Sequence, residues 1–560
     1  MAAPHRSVLT LALVLTLLLA ACGGGGTAPP AAQPDSPSSS EPTAAPVASE
    51  PTQATAPTSA PQPTAAPAAE EPVRLIVAIP TDKPTLDAHV SQTDGNDYGT
   101  ILYDRLVDFD ENTQIIPQLA TSWSVSDDGL TWTFELREGH TFHDGTPVNA
   151  ESVKASFERF LDPANSDLFL QRAGLEPVTQ IEAIGPYSLA FTTEYPYPVL
   201  LNKLAIPSGG IVSPTAATAV TPQEFGLNPV GSGPYRFVEW VPNTRIVFEK
   251  NPDHWLANSS NVDIIEFRPI PDVSTRAIAL ETGEVHFATI TDPTEAARLD
   301  EVPGLRAYNL PLARNLSIVT NLLKEPFDDI RVRQAIAHAV DRELIVDSFY
   351  SGFATVPDTV LNAGLWSYKA QPEIPYDPER ARELLAEAGY PDGFTTTLRV
   401  PTGRIGGIQQ TAQAVAAMLA DVGITAELDL MEHVAWVSSM RKAPEESDYL
   451  MSFWTWGTDT GEPDYNLNLQ FNQERWSPTC CNRMFYANDE VTEALIAAQR
   501  EVDEDRRRQL YERVQELVWQ DLPQFPLVNL NHTAVGRENV TGIRILPVER
   551  FDFRQVTINE

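Results

Sequence analysis

Apolar and polar residues alternate in two parts of the first half of this chain, and a turn interrupts each part. Asp128-Gly129 separates residues 123–125 from the alternating run 130–136. Pro242-Asn243 divides residues 235–250 in the same way. A turn dipeptide between two such runs is typical of an antiparallel hairpin with one buried face. The pattern therefore predicts two hairpins.

In the second half, apolar residues recur at the spacing of helices. Asp377 and Pro378 supply an N-cap and a first-turn proline, and Gly389 ends the apolar stripe that follows. Helix and strand signals alternate along the chain, which indicates an α/β fold with its antiparallel hairpins concentrated in the first half. The same criteria predict a helix over 341–349, a helix over 408–422, a strand over 424–430 and helices near 488–501 and 505–522.

The first 22 residues have the pattern of a secretory signal. Arg6 precedes an apolar run over residues 8–19, which is too short to stay in a bilayer as a span. The run ends in Leu-Ala-Ala-Cys at residues 19–22, which resembles the bacterial lipobox, where the cysteine is lipidated and becomes the mature N-terminus. Cys22 is then an acyl anchor. The alternative is a plain secretory signal with a coincidental cysteine.

Residues 23–72 have the composition of a disordered tether. They begin with four glycines, contain twelve prolines and have no aromatic residue, lysine or arginine. Such a segment buries too little apolar surface to fold, and its prolines favour extended conformations. A spacer of this kind reaches on the order of 100 to 150 Å. It would hold a globular part, residues 73–560, away from a membrane.

Composition narrows the function of the globular part, which is long enough for two or three domains. The chain has 76 acidic and 39 basic residues, a net charge of −37. This excess argues against nucleic acid as a partner, because phosphate backbones are bound by basic patches. The chain has no G-x-S-x-G or H-E-x-x-H motif, and its nine histidines are scattered. We therefore expect a protein that is not an enzyme and has no cofactor or metal.

Cys480 and Cys481 are adjacent in sequence. Outside the cell a free thiol pair tends to oxidise, and a disulfide between neighbours has unusual geometry. Three interpretations stay open: a loop pair without function, a vicinal disulfide that shapes a ligand-facing loop, and a metal site.

Five sets of segments resemble family 5 of the extracellular solute-binding proteins, which serve peptide and nickel ABC importers. They occur in the family's order and cover nearly all of residues 73–545. In this chain they are Leu-Arg-Glu-Gly at 136–139 with Phe-His-Asp-Gly-Thr-Pro-Val at 142–148 and Ala-Glu-Ser-Val at 150–153, Pro-Val-Gly-Ser-Gly-Pro-Tyr at 229–235, Asn-Pro-Asp-His-Trp at 251–255, Ala-Leu-Glu-Thr-Gly-Glu-Val at 279–285, and Phe-Asp-Asp-Ile-Arg-Val-Arg-Gln-Ala at 327–335 with Asp341-Arg342.

The resemblance implies a two-lobed periplasmic-binding-protein fold of type II, the Venus-flytrap fold, with an extra inserted domain. Ligand lies between the lobes, which close over it by a hinge motion. The chain divides accordingly into lobe I (73–117, 230–315 and 525–560), an inserted domain II (118–229) and lobe II, or domain III (316–524).

The family also implies the partners. A monomeric binding protein captures a small molecule at the outer face of the cytoplasmic membrane or in the periplasm. It then docks on ABC permease subunits that work with cytoplasmic ATPases. A ligand sensor that signals to a membrane receptor uses the same fold and stays an alternative. For the ligand, a short peptide comes first, ahead of an oligosaccharide and a nickel chelate.

The family's peptide binders hold the ligand's α-ammonium with an aspartate in a Trp-rich loop. Asp459 falls at the matching position here, with Trp454 and Trp456 as candidate pocket walls. The plainer interpretation of Asp459 is an acid that caps its loop. Glu462 and Asp464, which follow in the same segment, would face the permease or water.

Two further ligand-binding candidates follow from the same resemblance. Arg404 lies just before the helix predicted at 408 and corresponds to the arginine that holds the carboxylate in dipeptide binders, although Gly406-Gly407 departs from the family pattern. Otherwise it is a solvated loop residue. Tyr98, at an early turn between strand and helix, is a weaker pocket candidate. His140 and His143, by contrast, are expected to serve a turn and not a metal or a reaction.

The lipobox interpretation predicts that Cys22→Ser releases the protein from the membrane. A single acyl chain binds a bilayer marginally and two or more bind stably, so the two proteins should separate clearly on detergent phase partitioning. Equal partitioning of the variant and the wild type would contradict the anchor.

Overall fold

The computed structural model describes residues 71–90, 97–165, 174–403, 405–458, 460–546, 548 and 550–560. Within this part of the chain, no helix has both the length and the apolar composition needed to cross a bilayer.

The strands and helices alternate along the described residues, as the sequence predicts for an α/β fold. The strands are β1 (Arg74–Ile79), β2 (Val107–Phe109), β3 (Ile115–Pro117), β4 (Ala120–Val125), β5 (Thr131–Leu136), β6 (Val178–Ala183), β7 (Ser188–Thr193), β8 (Tyr235–Val241), β9 (Arg245–Lys250), β10 (Ile264–Pro269), β11 (Phe287–Thr289), β12 (Leu305–Thr320), β13 (Ala354–Thr355), β14 (Phe394–Thr402), β15 (Ile424–Glu432), β16 (Met451–Gly457), β17 (Gln524–Arg537), β18 (Val540–Thr541), β19 (Arg544–Leu546), β20 (Arg550–Asp552) and β21 (Thr557–Ile558). The helices are α1 (Asp97–Leu102), α2 (Ala150–Leu161), α3 (Leu200–Leu204), α4 (Pro214–Thr218), α5 (Pro222–Leu227), α6 (Val273–Thr282), α7 (Pro293–Asp300), α8 (Ile330–Ala339), α9 (Arg342–Phe349), α10 (Pro378–Glu387), α11 (Ile408–Asp421), α12 (His433–Met440), α13 (Pro463–Phe471), α14 (Asp489–Arg500) and α15 (Glu504–Asp521).

One large sheet organises the fold. Its strands lie in the order β15-β14-β16-β12-β17-β11-β1-β10-β9-β8, and β13 pairs with β17 at the side. At one end β14 is parallel to β15 and to β16. Toward the other end β1 is parallel to β10 and to β11. The sheet therefore contains two separate parallel groups.

The strands β12 and β17 join these two groups. They are 16 and 14 residues long and pair antiparallel, from Leu305 opposite Arg537 to Val319 opposite Gln524. Their first shared stretch adjoins β11, and their second adjoins β16. The register shifts between Pro311 and Arg314, where the pair passes from one group to the other.

The first predicted hairpin is confirmed, and it belongs to a second sheet. β4 and β5 pair antiparallel in a four-stranded sheet of order β4-β5-β7-β6. Phe134 of β5 and Phe191 of β7 meet edge to face with ring centroids 5.6 Å apart. Phe157 of α2 packs on Phe191 at 5.2 Å, also edge to face. These rings centre a hydrophobic cluster of their own, separate from those that flank the large sheet.

The predicted starts of two helices are confirmed by N-cap hydrogen bonds. Asp377 accepts a hydrogen bond from the Arg380 amide, and Pro378 occupies the first turn of α10. Asp341 accepts from the Leu344 amide at the start of α9. The predicted start at 505 lies one residue late, because α15 begins at Glu504 with Asp503 as its N-cap. The second predicted hairpin is present as β8 and β9.

His89 lies buried near the edge of this fold and is held neutral. Its Nδ1 accepts a hydrogen bond from Arg159 Nη1 at 2.8 Å, and its Nε2 donates to the Gly210 carbonyl at 3.0 Å. Arg159 is itself paired with Asp87. Burial lowers the pKa of His89 to about 4, and a proton on Nδ1 would break the bond from Arg159.

We therefore expect acid to destabilise the protein through His89. The unfolded chain takes up a proton near pH 6.5 and the folded chain only near pH 4, so unfolding free energy should fall as the pH drops between these values, by about 3 kcal/mol from this group. Urea denaturation at pH 7.5 and 4.5 measures it. His89→Gln should reduce the difference by about the contribution of this group, and His338→Gln, a histidine on α8, is the matched control. An unchanged difference in His89→Gln would contradict this account.

Candidate ligand-binding cleft

A cleft of about 1070 Å³ lies along the large sheet. Its walls come from residues that follow the carboxyl ends of strands in both parallel groups. Pro80 follows β1 and Pro271 follows β10, while Gly403 follows β14 and Gly457 ends β16. Ligands of α/β sheets bind in crevices at this edge of the strands. The topology thus identifies the cleft as the candidate ligand site.

A continuous row of aromatic side chains forms one wall. The ring centroids of Trp436 and Trp454 are 5.4 Å apart, those of Trp454 and Trp456 are 5.7 Å apart, and those of Trp456 and Tyr465 are 5.8 Å apart. Trp454 Nε1 donates to Gln470 Oε1 at 2.9 Å, and Trp436 Nε1 donates to Ser452 Oγ at 3.0 Å. Two of these indoles are therefore fixed in orientation by hydrogen bonds.

The cysteine pair extends this wall. Cys480 and Cys481 form a vicinal disulfide, both are buried, and Cys481 lines the cleft. The pair clusters with Tyr465, Leu469 and Trp456. Of the three interpretations from the sequence, the structure supports a vicinal disulfide in a ligand-facing loop.

The charged side chains that line the cleft in the described part of the chain are mostly basic. The two acidic residues among them are engaged at helix starts: Asp272 accepts from the Thr275 amide at 2.8 Å, and Glu432 accepts from the Val434 amide at 2.9 Å. Among the described residues, the basic side chains that line the cleft are Lys83, Arg276, Arg314, Arg441 and Arg483. None of these five is predicted from the sequence, because each lies alone in a different segment without a recognisable motif.

The predicted site residues fall into three groups. Trp454 and Trp456 line the cleft together. Asp459 and Arg404 lie outside the described residues, so their roles stay predictions. Tyr98 lies in α1, inside a hydrophobic cluster, and its hydroxyl donates to the Thr85 carbonyl at 3.1 Å. It does not belong to the lining of the cleft.

The expectation that Glu462 and Asp464 face the permease or water is wrong. Both are buried. Glu462 Oε1 lies 2.9 Å from Arg507 Nη2 and its Oε2 accepts from Trp366 Nε1, while burial raises its pKa. Asp464 Oδ2 lies 3.2 Å from Lys203 Nζ. These acids hold the segment after β16 against its neighbours, and their charges are already balanced within the protein.

A buried group of Asp104, His140 and His254 has the donor atoms of a metal site. Asp104 accepts hydrogen bonds from Ser232 Oγ at 2.8 Å, His140 Nε2 at 3.1 Å and His254 Nε2 at 3.2 Å. His254 Nδ1 accepts from the Leu256 amide. Burial raises the pKa of Asp104, but His254 and His140 outweigh it and lower the pKa below its ordinary value. Hydrogen bonding alone therefore accounts for the group.

The expected turn at His143 is confirmed. Asp144 Oδ1 accepts from the Thr146 amide at 2.9 Å, and Gly145 has a φ of +81°, which a glycine adopts without strain. The His143 ring contacts the Gly233 carbonyl through Nε2 at 2.9 Å. The motif shapes backbone and does not reach the cleft.

Comparison with known proteins places this cleft in context. Residues 114–478 match the family model of bacterial extracellular solute-binding proteins, family 5. The glutathione-binding protein GsiB of Escherichia coli O1:K1 is 34% identical over 487 residues, which are 86% of this chain and 94% of GsiB.

Solved structures agree with the sequence match. The periplasmic binding protein DppA from Helicobacter pylori, in complex with the peptide STSA, superposes with a TM-score of 0.75 at 30% identity, over 87% of this chain and 98% of that one. HbpA2 from Haemophilus parasuis gives 0.77 at 25% identity, over 87% and 100%. Both are two-lobed type II periplasmic binding proteins, so the fold implied by the motifs is confirmed. The chain therefore belongs to family 5 of the bacterial extracellular solute-binding proteins.

Proposed function

We propose that this chain, a solute-binding protein of an ABC importer, captures a short peptide in the cleft and delivers it to the permease. The observation that carries the choice of ligand is the lining of the cleft, which combines a row of indole rings with a set of basic side chains. A peptide offers both apolar side chains and carboxylates to such walls. The names of two relatives support it, since GsiB binds glutathione and DppA was solved with a peptide.

The termini of the peptide are assigned to the two residues that the motifs single out. Asp459 would accept the α-ammonium, and Arg404 would fork onto the carboxylate. Trp454 and Trp456 would flank the backbone between them, and Tyr98 would support the loop at 81–85 from behind through its bond to Thr85. Lobe I, the inserted domain and lobe II, with the bounds given above, would close around the ligand by bending where β12 and β17 pass between the parallel groups.

The sequence of the N-terminal segment supports a proposal about the location of the protein. The family is extracellular or periplasmic. We propose that Cys22 carries lipid and that residues 23–72 span the distance from the membrane to the binding domain. A monomer on such a tether meets both free ligand and the permease in the same membrane.

A thermal-shift screen decides the ligand class. We expect Ser-Thr-Ser-Ala, Met-Leu or glutathione to raise the melting temperature of the purified protein. A ligand at 100 times its Kd adds about 2.7 kcal/mol to the free energy of unfolding. Maltotriose and nickel with L-histidine form the competing arms. Shifts with the sugar or the nickel chelate and none with any peptide would overturn the proposal.

The role of Asp459 has a separate test. If it meets an α-ammonium, Asp459→Ala leaves a buried cation unpaired, which costs roughly 3 to 5 kcal/mol, or about two to three and a half decades of affinity. Asp459→Asn keeps the shape and removes the charge, and it should also weaken binding. Calorimetry with free and N-acetylated forms of one peptide measures both effects. A variant that still prefers the free N-terminus as the wild type does would return Asp459 to the role of a loop cap.

A further inference from the structure

The charge of the cleft is opposite to that of the chain. Over the whole sequence acidic residues outnumber basic ones by 76 to 39. Among the described residues that line the cleft, five are basic and two are acidic, and the two acids already accept backbone amides at helix starts. A concave, partly dehydrated wall of one sign concentrates ligands of the other sign. The cleft is therefore suited to a ligand with negative charge.

Arg483 is the most deeply buried of these cations after Arg276, with 7% of its surface exposed. Its Nη1 donates to Ser477 Oγ at 2.7 Å, and its Nε has no hydrogen-bond acceptor in the described part of the chain. No carboxylate of a described residue forms an ion pair with it. Arg276, by comparison, donates to three backbone carbonyls, at Thr289, Ile270 and Pro271.

Two features of its loop fix the backbone of Arg483. Tyr449 Oη donates to the Arg483 carbonyl at 2.6 Å, and the disulfide at residues 480–481 precedes it in the same loop. Arg441, at the end of α12, also lines the cleft, is exposed, and forms no ion pair with a described residue. Burial and the neighbouring charge of Arg441 lower the pKa of Arg483 to about 10. Two like charges thus face the cleft together.

A buried guanidinium without an acid is costly, because burial removes its hydration and nothing replaces it. The planar fork of arginine matches a carboxylate with two parallel hydrogen bonds. A ligand carboxylate at this place would pair with the charge of the Arg483 guanidinium and offset the repulsion from Arg441.

We infer that Arg483, with Arg441 beside it, is a subsite for a carboxylate of the bound peptide. The inference rests on the proposed function and adds a carboxylate-binding position at Arg483 to it. If Arg404 holds the C-terminus as proposed, the carboxylate at Arg483 belongs to a glutamate or aspartate side chain; otherwise it is the C-terminus itself. Both sources offer the same chemistry to the arginines.

The test compares three peptides on the full-length protein: Ala-Glu-Ala, Ala-Gln-Ala and the C-terminal amide of Ala-Glu-Ala. The wild type should bind Ala-Glu-Ala best, and Arg483→Gln should bind it about 10- to 100-fold more weakly. The deciding measurement is whether each protein distinguishes between these peptides. If the variant no longer distinguishes glutamate from glutamine, a side-chain carboxylate is the ligand group; if it no longer distinguishes acid from amide, the C-terminal carboxylate is.

Melting temperature without ligand separates a binding role from a structural one. Because Arg483 lacks a charged partner, Arg483→Gln should keep the melting temperature of the wild type or raise it while affinity falls. Arg483→Lys retains the charge and should retain part of the affinity. Arg513→Gln, a surface change on α15 outside the cleft, is the matched control. A lower melting temperature with unchanged discrimination would overturn the inference.

A probe that is not a peptide keeps the two proposals apart. Succinate should change the tryptophan fluorescence of the wild type saturably, and Arg483→Gln should lose that response. If the wild type binds succinate but no peptide, and Arg483→Gln loses the succinate response, the proposed function is wrong and the subsite is supported. Peptide binding with the same discrimination in Arg483→Gln and in the wild type would defeat the subsite alone. No response of the wild type to succinate or to any peptide would defeat both.

Discussion

The antiparallel pairing of β12 with β17 is the constraint on which the rest of the architecture depends. Among the described residues, no strand of one parallel group pairs with a strand of the other, and β12 and β17 lie between the two groups in the sheet. The shared pair determines where the carboxyl ends of the strands in each group lie. Residues that follow strands of both groups therefore line one cleft. Arg314, which follows the register shift, lies on β12 where the strand enters the second group and lines the same cleft.

Buried ion pairs then determine which charges remain for a ligand. Asp464 with Lys203, and Glu462 with Arg507, balance the acids of the segment after β16 within the protein. A buried pair of this kind adds little net stability, yet the loss of one partner is costly. These acids therefore do not belong to the lining of the cleft. Within the described part of the chain, basic side chains outnumber acidic ones in that lining, although the chain as a whole is acidic.

Local signals carried the sequence predictions that the structure confirms. The hairpin at Asp128 and the caps at Asp377 and Asp341 each depend on a few consecutive residues. A single sequence is therefore enough to predict them. The pairing of Lys203 with Asp464 joins residues 261 positions apart, and no periodicity encodes it. The same applies to Arg483, whose role depends on which carboxylates fail to reach it. Asp459 and Arg404 were proposed from a resemblance and stay predictions.

The aromatic and the basic side chains that line the cleft impose different demands on one ligand. On the aromatic wall, Trp454, Trp456, Tyr465 and the disulfide present a largely apolar surface that gains free energy by excluding water. The guanidinium groups that line the same cleft lose hydration as this water leaves, which is favourable only when an anion replaces it. A neutral apolar molecule would gain from contact with the indoles but would leave the guanidinium groups with neither hydration nor a counter-charge. Under the proposed function, a preference for an amphipathic anion would follow from desolvation, since the step that favours contact with the indoles also removes water from the arginines.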